Sequence, residues 1–126
     1  MITGIIVFAH GSRVESANQA VRTVARGLVR SAGCEQVVAA FLELGVPDLE
    51  GAADQLAAGG VQRILILPYF LTLGLHMERD LPQLVERIVQ KHSGLQIDVA
   101  PPLDGHPALV QILSDRALSL LHSTNT

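Results

Sequence analysis

The sequence alternates four times between a short apolar segment and a longer segment with helical periodicity, and this alternation limits the fold more than any other feature. The predicted strands are residues 5–9, 37–42, 63–67 and 95–99. The first three are continuous apolar runs, which is typical of parallel strands covered on both faces. The fourth alternates apolar and polar residues, as an edge strand does. We therefore expect an α/β fold, an open parallel four-stranded sheet with helices on both faces; a strand order of 2-1-3-4 would reverse between the first and third strands.

Capping residues, prolines and glycines set the predicted ends of the four helices. Ser12 and Glu15 have the spacing of a capping box, and Gly33 ends the first helix. The third helix is expected to start after Asp80, with Pro82 in its first turn. The residues expected to begin the four helices are Ser12, Asp48, Asp80 and Pro107.

Length and composition predict a single domain over residues 1–122, followed by a frayed tail at 123–126. Apolar residues make up 48% of the chain and aromatic residues only 3%, so the core must be largely aliphatic. The single cysteine, Cys34, excludes an internal disulfide. With a net charge of −3 and no apolar run of about 20 residues, we expect a cytoplasmic protein that binds neither nucleic acid nor membranes.

Polar side chains follow the ends of the predicted strands. His10 follows the first strand, Glu43 the second, and His76 lies in the loop after the third. In an open parallel sheet, ligands bind beyond the carboxyl ends of the strands, where the strand order reverses. We therefore expect His10 and His76 to flank a crevice, with Glu43 one strand away. Two imidazoles and a carboxylate suit a divalent metal such as Co, Ni, Fe or Zn, and the same groups accept protons near neutral pH.

Several residues near this site allow more than one interpretation. Ser12 could act as a nucleophile, but the G-x-S-x-G elbow is absent and a capping role fits better. Arg13 and Arg79 could pair with carboxylates or simply face solvent. Asp104 and His106, which follow the fourth strand, could join the site or only precede the last helix.

The segment after the third strand is unusual for a loop because residues 69–75 read Y-F-L-T-L-G-L. Turns ordinarily favour polar residues, so these apolar side chains must cover something apolar. Gly74 is expected to free the backbone just before His76.

Four motifs together resemble the class II chelatases, specifically the small single-lobe sirohydrochlorin chelatases. They are A-H-G-S-R after the first strand, F-L-E-L after the second, P-Y-F-L-T-L-G-L-H-M-E-R-D-L-P after the third and P-P-L-D-G-H-P after the fourth. The resemblance implies a chelatase-like fold, similar to half of a flavodoxin-like sheet. It also implies a lyase that inserts Co²⁺ or Fe²⁺, with Ni²⁺ in some relatives, into sirohydrochlorin for cobalamin or siroheme biosynthesis.

By that resemblance His10, His76 and Glu43 would be both catalytic and metal-contacting. The divalent metal would be a substrate, and no cofactor would be permanently bound. The tetrapyrrole would contact the residues Arg13, Leu71, Leu73, Gly74 and Arg79. Because one lobe leaves the apolar stretch facing water, we expect a homodimer. The rival interpretations are a carrier of metal or tetrapyrrole without turnover and a small phosphatase, although Ala9 stands where the R-H-G phosphohistidine pattern has arginine.

Overall fold

The structure, a computed structural model, describes residues 1–123 and contains four strand–helix units. In chain order the elements are β1 (Thr3–Ala9), α1 (Glu15–Ser31), β2 (Val37–Phe41), α2 (Leu49–Ala58), β3 (Arg63–Pro68), α3 (Leu75–Lys91), β4 (Gln96–Val99) and α4 (Ala108–Leu121). All strand pairs are parallel and the order is β2-β1-β3-β4, which confirms the predicted fold. Of the predicted tail at 123–126, all but Ser123 lies outside the described residues.

Two apolar clusters, one on each face of the sheet, hold the helices in place. On one face α1 packs on β1 and β2, with Val21 and Ala25 against Ile5 and Val7. On the other face α2 and α3 cover the sheet, with Leu56 and Ile88 in the same cluster as Ile64. This arrangement buries β1 at the centre and leaves the carboxyl ends of the strands open.

The last helix differs from the other three because none of its residues is buried. The connection that leads to it is nevertheless fixed. The backbone N–H groups of Leu103 and Asp104 donate to the carbonyl oxygens of Phe70 and Leu71, at 2.9 and 2.8 Å. Pro107 lies immediately before α4 and not inside its first turn.

The first helix does not begin with the predicted capping box. Val14 is the residue before its first turn, and no side chain caps it. The Ser12 hydroxyl instead accepts from the Val14 N–H at 3.0 Å, while the Ser12 N–H donates to Asn18 Oδ1 at 2.9 Å. The buried Asn18 amide thus fixes Ser12 ahead of the helix. At α2 the predicted cap is confirmed, because Asp48 Oδ1 accepts from the Gly51 N–H at 2.8 Å.

The third helix starts at Leu75, six residues earlier than predicted, so the prediction that Asp80 caps it is wrong. Helical hydrogen bonding already begins with the Glu78 N–H, which donates to the Gly74 carbonyl at 2.9 Å. Asp80 therefore lies within α3, and Pro82 is accommodated inside the helix. His76 consequently stands in the first turn of α3 and not in the preceding loop.

None of the helices within residues 1–123 is long and apolar enough to cross a membrane. The cytoplasmic location stays a prediction.

Candidate functional site

The loops after β1 and β2 are held together by backbone contacts at the carboxyl ends of the strands. The Leu42 N–H donates to the Ala9 carbonyl at 2.9 Å, and the Glu43 N–H donates to the His10 carbonyl at 3.1 Å. Backbone hydrogen bonding between β1 and β2 thus continues past the ends of both strands, and the second of these bonds joins His10 to Glu43. Gly11 makes this possible, because its φ is +96° and a Cβ on it would lie 1.7 Å from the Glu43 carbonyl oxygen.

Asn18, in α1, fixes the same two loops from below. It is 2% exposed and is the one buried polar residue within residues 1–123. Its Nδ2 donates to the carbonyl oxygens of Ser12 and Leu44, each at 2.9 Å, and its Oδ1 accepts from the Ser12 N–H. The amide therefore ties the loop carrying His10 to the loop carrying Glu43. Our sequence analysis missed Asn18, although a polar residue on the apolar stripe of a helix was a usable signal.

Phe70 gives the site an apolar floor that is anchored in the core. Its ring lies 5.8 Å from the Phe8 ring and 6.5 Å from the His10 imidazole, both in edge-to-face arrangements. The Tyr69 N–H donates to the Phe8 carbonyl at 2.6 Å, which holds the segment after β3 against β1. The His10 imidazole therefore has the Phe70 ring on one side and the loop that carries Glu43 on another.

His76 is exposed in the first turn of α3, and Arg79 follows it at helical spacing. The Arg79 Nη2 lies 3.3 Å from Nδ1 of His76, and Arg79 Nε lies 3.6 Å from Asp80 Oδ1. A guanidinium has only donors, so Nδ1 of His76 is the acceptor in this contact. Arg79 thus orients the imidazole.

The three predicted metal ligands do not form a closed site in one chain. Within residues 1–123, no three His, Cys, Asp or Glu side chains are grouped closely enough to hold a metal ion. His10 and Glu43 are joined through the backbone, whereas His76 belongs to α3, and all three side chains are exposed. The arrangement therefore offers accessible ligands without a complete coordination shell.

The apolar segment after β3 divides between the surface and the core. Leu71 and Leu75 are 63% and 85% exposed. Leu73 is half-buried against the core and lines a groove of about 350 Å³ between α3 and β4. Gly74 has φ −69° and open space around its Cα, so the expected glycine freedom is not used there. Leu71 and Leu75 are thus the most exposed leucines of this segment, with Leu73 behind them.

Of the residues left open after β4, His106 has a structural role. Its Nδ1 accepts from the Ala108 N–H at 3.0 Å and so satisfies the first backbone donor of α4. Asp104 is exposed and is held by its backbone contact with Leu71. Arg13 is exposed and lies in the loop after His10.

Comparisons with known proteins agree in family and fold. The family model described as CbiX matches residues 4–120. The sirohydrochlorin cobaltochelatase of Sulfurisphaera tokodaii is 30% identical over 121 residues, which cover 96% of each protein. The chloroplastic sirohydrochlorin ferrochelatase of Arabidopsis thaliana is 29% identical over 113 residues, or 90% of this chain and 50% of the plant protein. The chain thus spans nearly the whole archaeal relative and about half of the plant one.

Two solved structures share the architecture described above. A CbiX protein from Marinobacter aquaeolei VT8 superposes with a TM-score of 0.82 at 29% identity, over 94% of this chain and 97% of that one. The Bacillus subtilis sirohydrochlorin chelatase SirB gives a TM-score of 0.86 at 23% identity, over 95% of this chain and 51% of SirB, and shares the fold.

Proposed function

The chain belongs to the CbiX family, and on that premise we propose that it inserts Co²⁺ or Fe²⁺ into sirohydrochlorin. The observation that carries the proposal is the joining of His10 and Glu43 beside the Phe70 ring, at the switch point of the sheet. Relatives that align along nearly the whole chain, such as the Sulfurisphaera tokodaii protein, are sirohydrochlorin cobaltochelatases. An exposed imidazole and an exposed carboxylate on adjoining loops, next to an apolar ring, form the combination that metal delivery to a flat macrocycle requires.

Metal insertion needs ligands that bind the cation and then release it. We assign this role to His10, His76 and Glu43, because imidazole and carboxylate suit Co²⁺ and Fe²⁺. A closed four-ligand site would retain its ion. Exposed ligands on separate elements leave coordination positions free for the ring nitrogens.

The reaction also releases two protons, since each of two pyrrole N–H groups exchanges its proton for a bond to the metal. Glu43 and the histidines are the proton acceptors within reach of the crevice. The backbone bond between Glu43 and His10 keeps the acid beside the first histidine while its side chain remains free.

The exposed arginines give the acidic chain local positive charge for an anionic substrate. By the resemblance, the tetrapyrrole carries several carboxylates, and Arg13 and Arg79 flank the two histidines in sequence. Replacement of either arginine with alanine should raise KM more than it lowers kcat, and added salt should have the same effect. A KM that neither change moves would exclude this role.

We also propose that the working species is a homodimer. Leu71, Leu75 and Tyr69 expose apolar surface beside the site, where soluble monomers seldom leave a contiguous patch. A second copy would cover this surface and bring a second His10 and His76 to the macrocycle. This assignment also accounts for the incomplete ligand set of one chain.

The test is the change in sirohydrochlorin absorbance when Co²⁺, Fe²⁺ and Ni²⁺ are offered separately. His10→Ala and His76→Ala should each lower the insertion rate at least about tenfold at limiting metal, since each removes a ligand. Their unfolding curves should stay close to that of the parent, because both side chains are exposed. His92→Gln is the matched control, because His92 contacts Asp54 away from the crevice and glutamine retains a donor.

Parental rates in both crevice variants would contradict the assignment of the site. Binding of metal or tetrapyrrole without any insertion would identify a carrier and overturn the proposed activity.

A further inference from the structure

The fourth helix has an apolar face that no other element of the described chain covers. Helical geometry places 109, 110, 113, 117, 120 and 121 on one side of α4. Leu109 is half-buried, and the other large side chains of this face are between 67% and 79% exposed; they are Val110, Leu113, Leu120 and Leu121. The opposite side is polar, with Gln111 Nε2 donating to Asp115 Oδ1 at 2.8 Å. An amphipathic helix of this kind is stable only when its apolar side is packed.

The sheet presents a surface of matching character. Helix α1 packs on β1 and β2, and α2 and α3 lie on the other face. The α1 side of β3 and β4 therefore lacks a helix of its own among residues 1–123. It carries Leu65 and Leu67, both half-buried, with Ala100 alongside them, and the Arg63–Asp98 ion pair lies at the amino end of this strip. In a sheet with helices on both faces, a fourth helix belongs over this position.

We propose that α4 fills this position on a second copy of the chain, so that the dimer forms by reciprocal helix exchange. This inference rests on the homodimer proposed above and specifies how it is built. A two-fold axis that seats each α4 on its partner covers both exposed surfaces at once, because every chain carries one donor helix and one acceptor strip.

The connection between β4 and α4 favours exchange over folding back. Residues 101–107 contain three prolines, which limit the backbone angles of this short segment. Leu103 and Asp104 are also hydrogen-bonded to the segment after β3. The direction in which the helix leaves the lobe is therefore fixed at both ends of the connection, and in that direction none of its side chains is buried.

The buried area is sufficient for a stable dimer. Burial of one leucine or valine removes on the order of 100 Å² from water. The four large side chains of the apolar face, about 70% exposed, thus supply roughly 300 Å² per helix. If the acceptor strip loses about the same area as the helix that covers it, the two helices and the two strips together bury roughly 1,200 Å², which is the lower end of the range for stable protein interfaces.

Charge argues against a membrane as the alternative occupant. Helices that lie on anionic lipid carry several lysines or arginines on the polar face. Residues 108–121 contain one arginine, Arg116, and one aspartate, Asp115, within a chain of net charge −3. The helix therefore matches the aliphatic strip on another copy better than it matches lipid.

Exchange also places the partner next to the candidate site. The anchoring bonds of Leu103 and Asp104 end on Phe70 and Leu71, and Phe70 lies against His10. A partner lobe attached through α4 is consequently held beside the crevice.

The test uses two full-length variants that each damage one side of the contact. Leu113→Glu with Leu120→Glu puts charge on the donor helix, and Ala100→Arg obstructs the acceptor strip. Each variant alone should sediment as a monomer of about half the mass of the parent dimer. Mixed in equal amounts they should form a heterodimer, because the intact helix of one can still dock on the intact strip of the other. Ser119→Glu, on the polar side of α4, is the matched control and should remain dimeric.

The outcomes separate exchange from its alternatives. If the donor variant remains a dimer, or the parent is a monomer, or mixing restores nothing, helix exchange is wrong. Circular dichroism checks that the variants are folded, and Leu120→Glu alone replaces the double variant if they are not. If the parent and the variants sediment with the expected masses but the parent inserts no metal, the proposed activity is wrong and helix exchange is still supported.

Discussion

Replacement of Gly11 with alanine should damage stability and the site together, because the glycine lies where two strand-end loops meet. At φ +96° an alanine costs about 1–3 kcal/mol of backbone strain. Its Cβ would also lie 1.7 Å from the Glu43 carbonyl oxygen, so one loop must move by more than 1 Å. That movement breaks the bond between the Glu43 N–H and the His10 carbonyl, which contributes about 1 kcal/mol. The free energy of unfolding should therefore fall by about 2–4 kcal/mol.

The effect on metal insertion should exceed the effect on the folded fraction. A displacement of about 1 Å between His10 and Glu43 separates groups that act on one ion in the proposed reaction, and misplacement of that size costs on the order of 100-fold in rate. Urea unfolding gives the stability change, and the insertion rate per folded molecule gives the change in activity.

Two other glycines provide matched controls for Gly11→Ala. Gly74→Ala lies just before His76, where φ is −69° and no atom is within 4 Å of the added Cβ, so it should change stability by less than about 1 kcal/mol. Gly27→Ala lies in open space on α1 and should stabilise the helix by about 0.5–1 kcal/mol. If Gly11→Ala behaves like either control, the close approach of the two loops is not what fixes the site.

Two further predictions concern hydrogen bonds that join separate elements. Asn18→Asp replaces the Nδ2 donor with an acceptor that faces the carbonyls of Ser12 and Leu44. The free energy of unfolding at pH 7 should therefore fall by about 2–4 kcal/mol. If Asn18→Ser keeps the stability of the parent, the two hydrogen bonds do not have this role. Asp54→Asn should cost no more than about 1 kcal/mol at pH 7, because Lys91, the main cause, holds the pKa of Asp54 below its ordinary 3.8 by hydrogen bonding at an exposed position. A carboxylate whose pKa is lowered in the folded protein stabilises the fold fully above its unfolded pKa, and this stabilisation is lost as the pH falls through the folded pKa. The free energies of unfolding of the parent and of Asp54→Asn, measured by chemical denaturation, should therefore converge below about pH 3.8. A difference that stays constant down to about pH 2 would exclude this linkage.

The parts of the fold that the sequence predicts are those governed by local periodicity. Continuous apolar runs identified β1 to β3, alternation identified β4 as an edge strand, and Asp48 marked the start of α2. The start of α3 was wrong because Asp80 and Pro82 form a convincing local signal. The helix nevertheless begins at Leu75, where a bond from Glu78 to Gly74 already satisfies its first turn. A capping residue indicates where a helix can start. It does not show whether the backbone hydrogen bonds of an earlier start are also formed.

The site divides in the same way. The rule for strand ends placed His10 and Glu43 at one edge of the sheet, and the backbone bond between them confirms that they are neighbours. Asn18 and the requirement for Gly11 were missed, because both depend on contacts with the loop after β2, more than 20 residues away in the sequence. Periodicity assigned Asn18 to a helix without showing which loop its amide would reach.

The two halves of the candidate site are held by different numbers of contacts, and in the proposed function this difference bears on metal release. His10 and Glu43 belong to loops fixed by the Asn18 amide and by the close contact at Gly11, so their spacing is set before any ion arrives. His76 is held mainly by its own helical turn and by Arg79, on an exposed surface. In the proposed function, an ion held first by His10 and Glu43 would complete its coordination with the exposed His76 imidazole or with a ring nitrogen, and these two ligands would compete for the same position. In the proposed reaction the ring nitrogens replace first His76 and then His10 and Glu43 at the ion, and the rigid pair is free again for the next ion.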